Sequence, residues 1–283
     1  MVSHTHHGAS ESFWVSSALM FATFLYVRAS LGVRSQNHGK LVGWRAGSFL
    51  LGVLSIWIAT ASPVAPLDHE LLTAHMVQHL LLMTLAPPLI LLGMPRKPLA
   101  HRWLLRLARL VTHPALCWFA AAGTLVVWHI PSVFMLGLRS QMWHGTEQAS
   151  FLAAGLLFWS PVVRRSPSNR KWPESSILLY LFLATLPCDI LSGFLVFCDR
   201  VVYPVFLSSP RSFGLSALED QQCAGALMWT CVTVVYLIAG SVFTARLLSP
   251  HRSPRQLEEL AIPQIGSQRI AVHRTETHEM EAV

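Results

Sequence analysis

The chain has 283 residues, of which 53% are hydrophobic and only 12% are charged, and its formal net charge is +7. Soluble domains carry about 25% charged residues. This chain has too few to cover a water-exposed surface, so its composition excludes an ordinary soluble domain and indicates a membrane protein. The basic residues stand in short loops between apolar runs, which indicates membrane orientation and argues against a nucleic-acid partner.

Seven apolar runs of spanning length predict an all-α, polytopic membrane bundle with about seven transmembrane helices. The runs cover residues 12–30, 44–63, 69–93, 114–137, 143–163, 176–198 and 221–248. The membrane domain is then residues 12–248, and residues 1–11 are a short extracytoplasmic segment that contains histidines. Residues 249–283 form a polar tail, whose mixed charges and prolines predict disorder.

The distribution of basic residues predicts how the bundle lies in the membrane. Lysine and arginine are concentrated after the first, third and fifth runs and at the start of the tail. These connections all lie on one side only if the number of spans is odd. Since cytoplasmic loops carry the excess of lysine and arginine, the N-terminus is predicted outside and the C-terminus in the cytoplasm. The predicted location is a bacterial inner membrane.

The third run contains two histidines four residues apart, and this spacing predicts a metal site. On a helix, His75 and His79 share one face about 6 Å apart along the axis, so both imidazoles can reach one ion. Asp68 and Met83 continue that stripe, and Met76 lies beside it. Imidazole suits copper, zinc and iron, and thioether sulfur selects Cu(I). The alternative is a pair of packed, hydrogen-bonded histidines.

The remaining runs place further polar side chains at the same predicted depth. With the N-terminus outside, the outer parts of these runs contain His129, His144, Glu147, Asp189 and Asp220. Ionisable residues inside membrane spans are costly and usually functional. We therefore expect the polar side chains of this outer layer to share a pocket with the two histidines of the third run. Pro87, Pro88 and Pro187 predict irregular helix near this layer.

Several motifs resemble those of the CtaG-type cytochrome c oxidase assembly factors. They are His75-Met76, Gln78-His79, Ala86-Pro87-Pro88 and Gly93-x-Pro95 in the third run, the stretch from His144 to Leu157-Phe158-Trp159, and Asp220-Gln221-Gln222 with Gly225. The resemblance covers most of residues 12–248, and Gln148 stands where many members have a second histidine. It implies a plasma-membrane protein that is needed to make active cytochrome c oxidase, through copper handling for the copper centres of the oxidase. The implied partners are oxidase subunits and other copper chaperones.

The leading hypothesis is a copper-binding assembly factor rather than an enzyme. The predicted site comprises His75 and His79 as ligands, Met76 and His144 as candidate third ligands, His129 in the same pocket, and Asp68 or Asp189 as a carboxylate that orients an imidazole. Three alternatives remain open from the residues alone. They are a membrane haem protein with bis-histidine ligation, a zinc-dependent seven-span hydrolase, and a metal-free scaffold that holds oxidase subunits through its spans.

Overall fold

The computed structural model describes residues 4–33, 39–94, 113–164, 174–209 and 214–248. Within these ranges the protein is helical, without a strand. The α-helices are α1 (His4–Val33), α2 (Gly39–Thr60), α3 (Leu72–Leu80), α4 (Ala86–Gly93), α5 (Pro114–His129), α6 (Pro131–Arg139), α7 (Gln141–Val163), α8 (Glu174–Phe197) and α9 (Ala217–Leu248). Helix α1 begins inside the predicted N-terminal segment 1–11, and the predicted tail 249–283 lies outside the described residues.

The protein divides into two compact units, Met1–Gly240 and Ser241–Val283. In the second unit the structure describes residues 241–248, which form the C-terminal end of α9. All of the site residues considered below belong to the first unit.

Three helical segments among the described residues are long and apolar enough to cross a membrane, namely 72–93, 175–197 and 217–245. The bent pair α5 and α6 would be a fourth if it is one span. Large apolar side chains on these and other helices are more than half exposed, including Phe21, Phe182, Ile190 and Leu237. Such a surface is costly in water and favourable in hydrocarbon, so the exposed faces agree with a bilayer environment.

The single helix predicted over residues 114–137 is instead two helices that meet at an angle of 78°. The residue before a proline is biased away from the helical conformation, and Ile130, which precedes Pro131, is extended with φ −65° and ψ 124°. The break frees the carbonyl of His129, which accepts a hydrogen bond of 2.9 Å from the Tyr203 hydroxyl. As a result, α6 turns across the bundle instead of continuing the line of α5.

The predicted irregularity of the third run lies one turn before its two prolines. Helix α3 ends at Leu80, a π-helical turn covers Leu81–Leu85, and α4 continues to Gly93. Pro87 has no N–H to donate to the carbonyl four residues earlier, which belongs to Met83. That carbonyl instead accepts a hydrogen bond of 3.2 Å from the indole of Trp159. The π turn therefore follows directly on the helix that carries the two histidines.

The N-terminus of α3 is capped by a side chain from another helix. Leu71, at the N-cap position, has no side-chain oxygen, and the carboxylate of Asp220 in α9 accepts from the backbone N–H of Leu72 (2.6 Å) and Thr73 (3.1 Å). A negative charge at a helix N-terminus is also favoured by the helix dipole. Next to it, Gln221 bonds the backbone of Val202, Leu195 and Arg200. These two polar residues of the last helix therefore have structural roles.

Replacing Asp220 with alanine is expected to destabilise the protein by about 1–3 kcal/mol, because two amides at the start of α3 lose their acceptor in a buried environment. Asp220→Asn keeps one carbonyl acceptor and should cost less. Thermal unfolding of the purified variants in detergent measures both effects. Equal midpoints for wild type and Asp220→Ala would contradict this role for the carboxylate.

Candidate metal centre

Two histidines of α3 and a glutamate of α7 form a buried triad. Nε2 of His75 lies 3.3 Å from Oε1 of Glu147, and Nε2 of His79 lies 3.4 Å from the same oxygen. One ligand atom from each residue lies within 4.8 Å of the other two. His75 and Glu147 are fully buried, and His79 is 5% exposed. We call His75, His79 and Glu147 the buried triad.

The polar atoms of the buried triad lack hydrogen bonds, although they are buried. Both ring nitrogens of His75, both of His79 and both carboxylate oxygens of Glu147 have no hydrogen-bond partner. Buried polar groups are nearly always hydrogen-bonded, and six buried atoms in one place without a hydrogen bond need an explanation. Donor atoms about 2.0–2.1 Å from a tetrahedral ion lie about 3.3–3.4 Å from each other. The observed nitrogen–oxygen distances match this spacing, so the residues present fit a metal ion.

Aromatic and small residues hold the buried triad in place. Phe134 of α6 packs on His75 with ring centroids 4.8 Å apart, and Phe151 of α7 packs on His79 at 3.9 Å. Gly137 of α6 leaves room for the carboxylate, since a Cβ at that position would lie 2.6 Å from Oε2 of Glu147. Because the chain bends between α5 and α6, Phe134 and Gly137 lie against the buried triad. In a straight helix these two residues would lie away from it.

A second pair of candidate ligands lies beside the triad. Nδ1 of His129 donates a 2.7 Å hydrogen bond to the carbonyl of Leu125, because a carbonyl can only accept. In the neutral ring this leaves a lone pair on Nε2, which lies 3.4 Å from the sulfur of Met76. The ring centroid of His129 is 6.0 Å from that of His79. A cavity of about 50 Å³ is lined by these residues together with Met83, Met228 and Cys188.

A second cluster lies at the start of α7 and in the short helical turn Ala65–His69. Nε2 of His144 is 3.0 Å from Oδ2 of Asp68, and Nε2 of His69 is 3.7 Å from Oδ1. Asp68 is 2% exposed, whereas the side chain of His69 is 50% exposed. Burial favours the neutral form of Asp68, but its hydrogen bond and charge interaction with His144 hold its pKa below the usual value. We call Asp68, His69 and His144 the surface triad.

A network of amides links the surface triad to α3. The Nε2 atom of Gln148 donates to Oε1 of Gln78, 3.4 Å away. It also lies 2.8 Å from Nε2 of His144, but that nitrogen donates to Asp68 and does not accept a hydrogen bond. Gln78 in turn donates to the carbonyl of Ala65, 3.0 Å away. The amide of Gln148 therefore joins α7 to α3.

The structure brings six of the seven residues of the predicted site into neighbouring groups. They are His75 and His79 in the buried triad, Asp68 and His144 in the surface triad, and Met76 with His129 beside them. Asp189 lies on α8, is partly exposed and belongs to neither triad. The sequence places Glu147 in the polar layer without marking it as a ligand, and the predicted site does not include His69. The sequence could have indicated Glu147 as a ligand, because it lies one turn after His144 on the same helix.

Fold and site together define an all-helical protein with helices able to cross a membrane and a buried cluster of two histidines and a glutamate. The chain belongs to the family described as cytochrome c oxidase caa3 assembly factor (CtaG), which matches residues 24–250. This confirms the family that the motifs of the third run indicated. The description of this family names the assembly of a caa3-type cytochrome c oxidase.

Similar curated proteins come from mycobacteria and are uncharacterised. The relative from Mycobacterium leprae is 22% identical in an alignment of 255 positions that covers 80% of this chain and 38% of the relative. Relatives from Mycobacterium bovis and Mycobacterium tuberculosis are each 24% identical in an alignment of 213 positions that covers 68% of this chain and 31% of the relative. The chain thus spans about a third of the length of the curated relatives it matches. No solved structure matches it.

Proposed function

We propose that this protein binds a copper ion at the buried triad and hands it to cytochrome c oxidase during assembly of the oxidase. Copper is the cargo here, not a resident cofactor. The observation that carries the proposal is the set of buried donor atoms of His75, His79 and Glu147, which make no hydrogen bonds and lie at the spacing of ligands on one ion. Cytochrome c oxidase is proposed as the acceptor of the copper because the chain belongs to a family of assembly factors for this oxidase.

The thioether and imidazole beside the triad favour copper over other metals. Thioether sulfur is a soft ligand that selects Cu(I), and imidazole suits copper in both common oxidation states. The sulfur of Met76 and the free nitrogen of His129 lie 3.4 Å apart, at the edge of a cavity that also reaches His79. An ion that leaves the triad would therefore meet exchangeable soft ligands. A transfer protein needs this property, since a closed set of four strong ligands would retain its cargo.

The orientation in the membrane is part of the proposal. We infer seven spans, with the N-terminus outside, the C-terminus in the cytoplasm and a multi-pass location in the inner membrane. The alternation of basic loops along the chain supports this arrangement. The buried triad would then lie in the outer half of the bilayer. Partners at that face are oxidase subunits that receive copper, and copper chaperones that deliver it.

Zinc is the second candidate because two histidines and one glutamate also form the ligand set of known zinc hydrolases. A zinc-dependent hydrolase would need zinc in the purified protein and a metal-dependent activity. Haem receives less support from the triad. His75 and His79 lie four residues apart on one helix, whereas the axial ligands of a bis-histidine haem lie on opposite faces of the ring.

Purified wild-type protein is expected to bind about one copper ion tightly per chain, and the double variant His75→Ala with His79→Ala is expected to bind none at this site. Metal analysis after dialysis against a chelator measures the bound copper. The matched control is His113→Ala, which removes an exposed imidazole at the start of α5, about 24 Å along that helix from His129.

Three other results would change the proposal. Copper content that is equal in the wild type and the double variant would refute the triad as the copper site. Zinc in place of copper would favour the hydrolase. A wild-type protein that binds no metal, with oxidase assembly unaffected by the double variant, would favour a scaffold.

A further inference from the structure

The surface triad has the donors of a second metal site. Asp68 offers a carboxylate, and His69 and His144 offer imidazoles, with one ligand atom of each within 4.8 Å of the others. The ring centroids of the two histidines lie 5.3 Å apart. One carboxylate and two imidazoles are the kind of ligand set that divalent copper and zinc accept.

The ion pairs within the surface triad leave one buried oxygen without a hydrogen bond. Oδ1 of Asp68 is buried and has no hydrogen-bond partner. The 3.7 Å separation between His69 and Oδ1 is too long for a hydrogen bond. An unpaired oxygen on an aspartate that is 2% exposed is unfavourable unless something positive completes its surroundings. A cation held between Asp68, His69 and His144 would do so.

The surface triad also lies where an ion can arrive from water. The turn Ala65–His69 comes before the apolar segment that begins at Leu72. The side chain of His69 is half exposed, which leaves room for an incoming donor to share the ion during exchange. The buried triad lacks such access, because His75 and Glu147 are fully buried.

His144 connects the two triads. Its Nε2 lies 3.0 Å from Oδ2 of Asp68, and its Nδ1 lies 3.6 Å from Oε2 of Glu147. The centroid of the same ring is 6.2 Å from that of His75. One imidazole therefore presents one nitrogen to each site, and an ion can pass from one set of donors to the other over a short distance.

We propose that Asp68, His69 and His144 form a second, exchangeable site for a divalent cation, which loads the buried triad through His144. The ion keeps its charge during this transfer, so no electron is gained or lost. Since a neutral imidazole has one lone pair, the ring proton of His144 is on Nδ1, facing Glu147, while the ion is on Nε2, and it moves to Nε2, facing Asp68, when the ion moves to Nδ1. The inference rests on the proposed function, since the buried triad is the receiving site. It adds a partly exposed loading position that takes the ion before the buried ligands do.

The test follows Cu²⁺ uptake by the purified full-length protein in detergent. Wild type is expected to bind two Cu²⁺ at saturation, one removable at once by a chelator and one resistant to it. His69→Ala should lose the removable ion and acquire the resistant ion at least about tenfold more slowly, as expected when a supporting ligand is lost. Because His69 is half exposed, this variant is expected to fold, and its thermal midpoint checks that. His113→Ala is again the control.

The outcomes separate this inference from the proposed function. His75→Ala with His79→Ala should keep the removable ion and lose the resistant one. If the double variant keeps both ions, the proposed copper site fails, whatever His69 does. If His69→Ala binds two ions at the wild-type rate, the loading site is overturned while the buried site stands. If His69→Ala loses the removable ion but acquires the chelator-resistant ion at the wild-type rate, the proposed transfer from the surface triad to the buried triad is overturned.

Discussion

Glu147→Gln is expected to abolish tight copper binding while the protein remains folded. The carboxylate faces three imidazoles, with one oxygen near His75 and His79 and the other 3.6 Å from His144. Glutamine has nearly the same shape but no negative charge, and its amide nitrogen cannot bind a cation. We expect affinity for copper to fall by more than about a hundredfold, since a lost ligand should cost more than a lost supporting contact. Metal analysis and isothermal titration with copper measure the loss.

The matched control is Glu219→Gln. Glu219 is an exposed glutamate whose carboxylate accepts from the backbone N–H of Ser216, while the Ser216 hydroxyl accepts from the backbone N–H of Glu219. Glutamine can keep this reciprocal cap, so copper binding should stay at the wild-type value and stability should change little. In cells that lack the chromosomal gene, Glu219→Gln should restore oxidase activity and Glu147→Gln should not. Full copper binding by Glu147→Gln would remove the carboxylate from the site.

Hydropathy alone predicts where the helices lie along the chain. Each of the seven predicted runs lies mostly on helix, although residues 61–63 and 70–71 are not helical and the fourth run is broken. The spacing of His75 and His79 correctly predicts two neighbouring imidazoles, whose centroids lie 4.3 Å apart. Local periodicity is enough for such contacts because both residues belong to one helix.

The rotation of each helix about its own axis cannot be predicted in the same way. Hydropathy and charge place both Glu147 and Asp189 in the outer layer, yet only Glu147 faces the histidines. The direction in which a residue of α7 or α8 points depends on how that helix packs on α3, and this packing involves residues far away in the sequence. Hydropathy is too even around these helices to indicate it. The neighbours of each polar side chain therefore follow from the tertiary fold and not from the local sequence.

The break between α5 and α6 has a signal in the sequence, Pro131, but the continuous apolar character of residues 114–137 outweighs it. Residues 114–137 are apolar enough to be predicted as one span, and Pro131 is compatible with a kinked helix. Because Ile130 is extended, the carbonyl of His129 loses its partner within the helix and needs another. That partner is the hydroxyl of Tyr203, which lies 74 positions after His129. Since its position follows from the tertiary fold, the sequence around the proline cannot reveal that α6 covers the site.

The alignment of α7 on the third run depends on a glycine two turns beyond Glu147. A Cβ at Gly155 would lie 2.6 Å from the carbonyl oxygen of Met83 and 2.7 Å from Cγ of Pro87, both in the tightly packed region around the π turn. Replacement by leucine is therefore expected to push α7 away and to destabilise the protein by about 1–3 kcal/mol or more. The same movement would draw Glu147 away from His75 and His79, so bound copper should fall together with stability.

Gly123→Ala in α5 is the control for Gly155→Leu. An added Cβ at Gly123 meets nothing within 4 Å, and alanine has a higher helix propensity than glycine, so this variant should be as stable as the wild type or slightly more stable. Gly155→Ala adds only the Cβ and should lie between the two. Thermal unfolding and metal analysis on the same preparations measure stability and copper content together. If Gly155→Leu lowered the unfolding midpoint but kept full copper binding, the buried triad would not depend on the contact between α7 and the π turn, and the proposed link between packing and metal binding would be wrong.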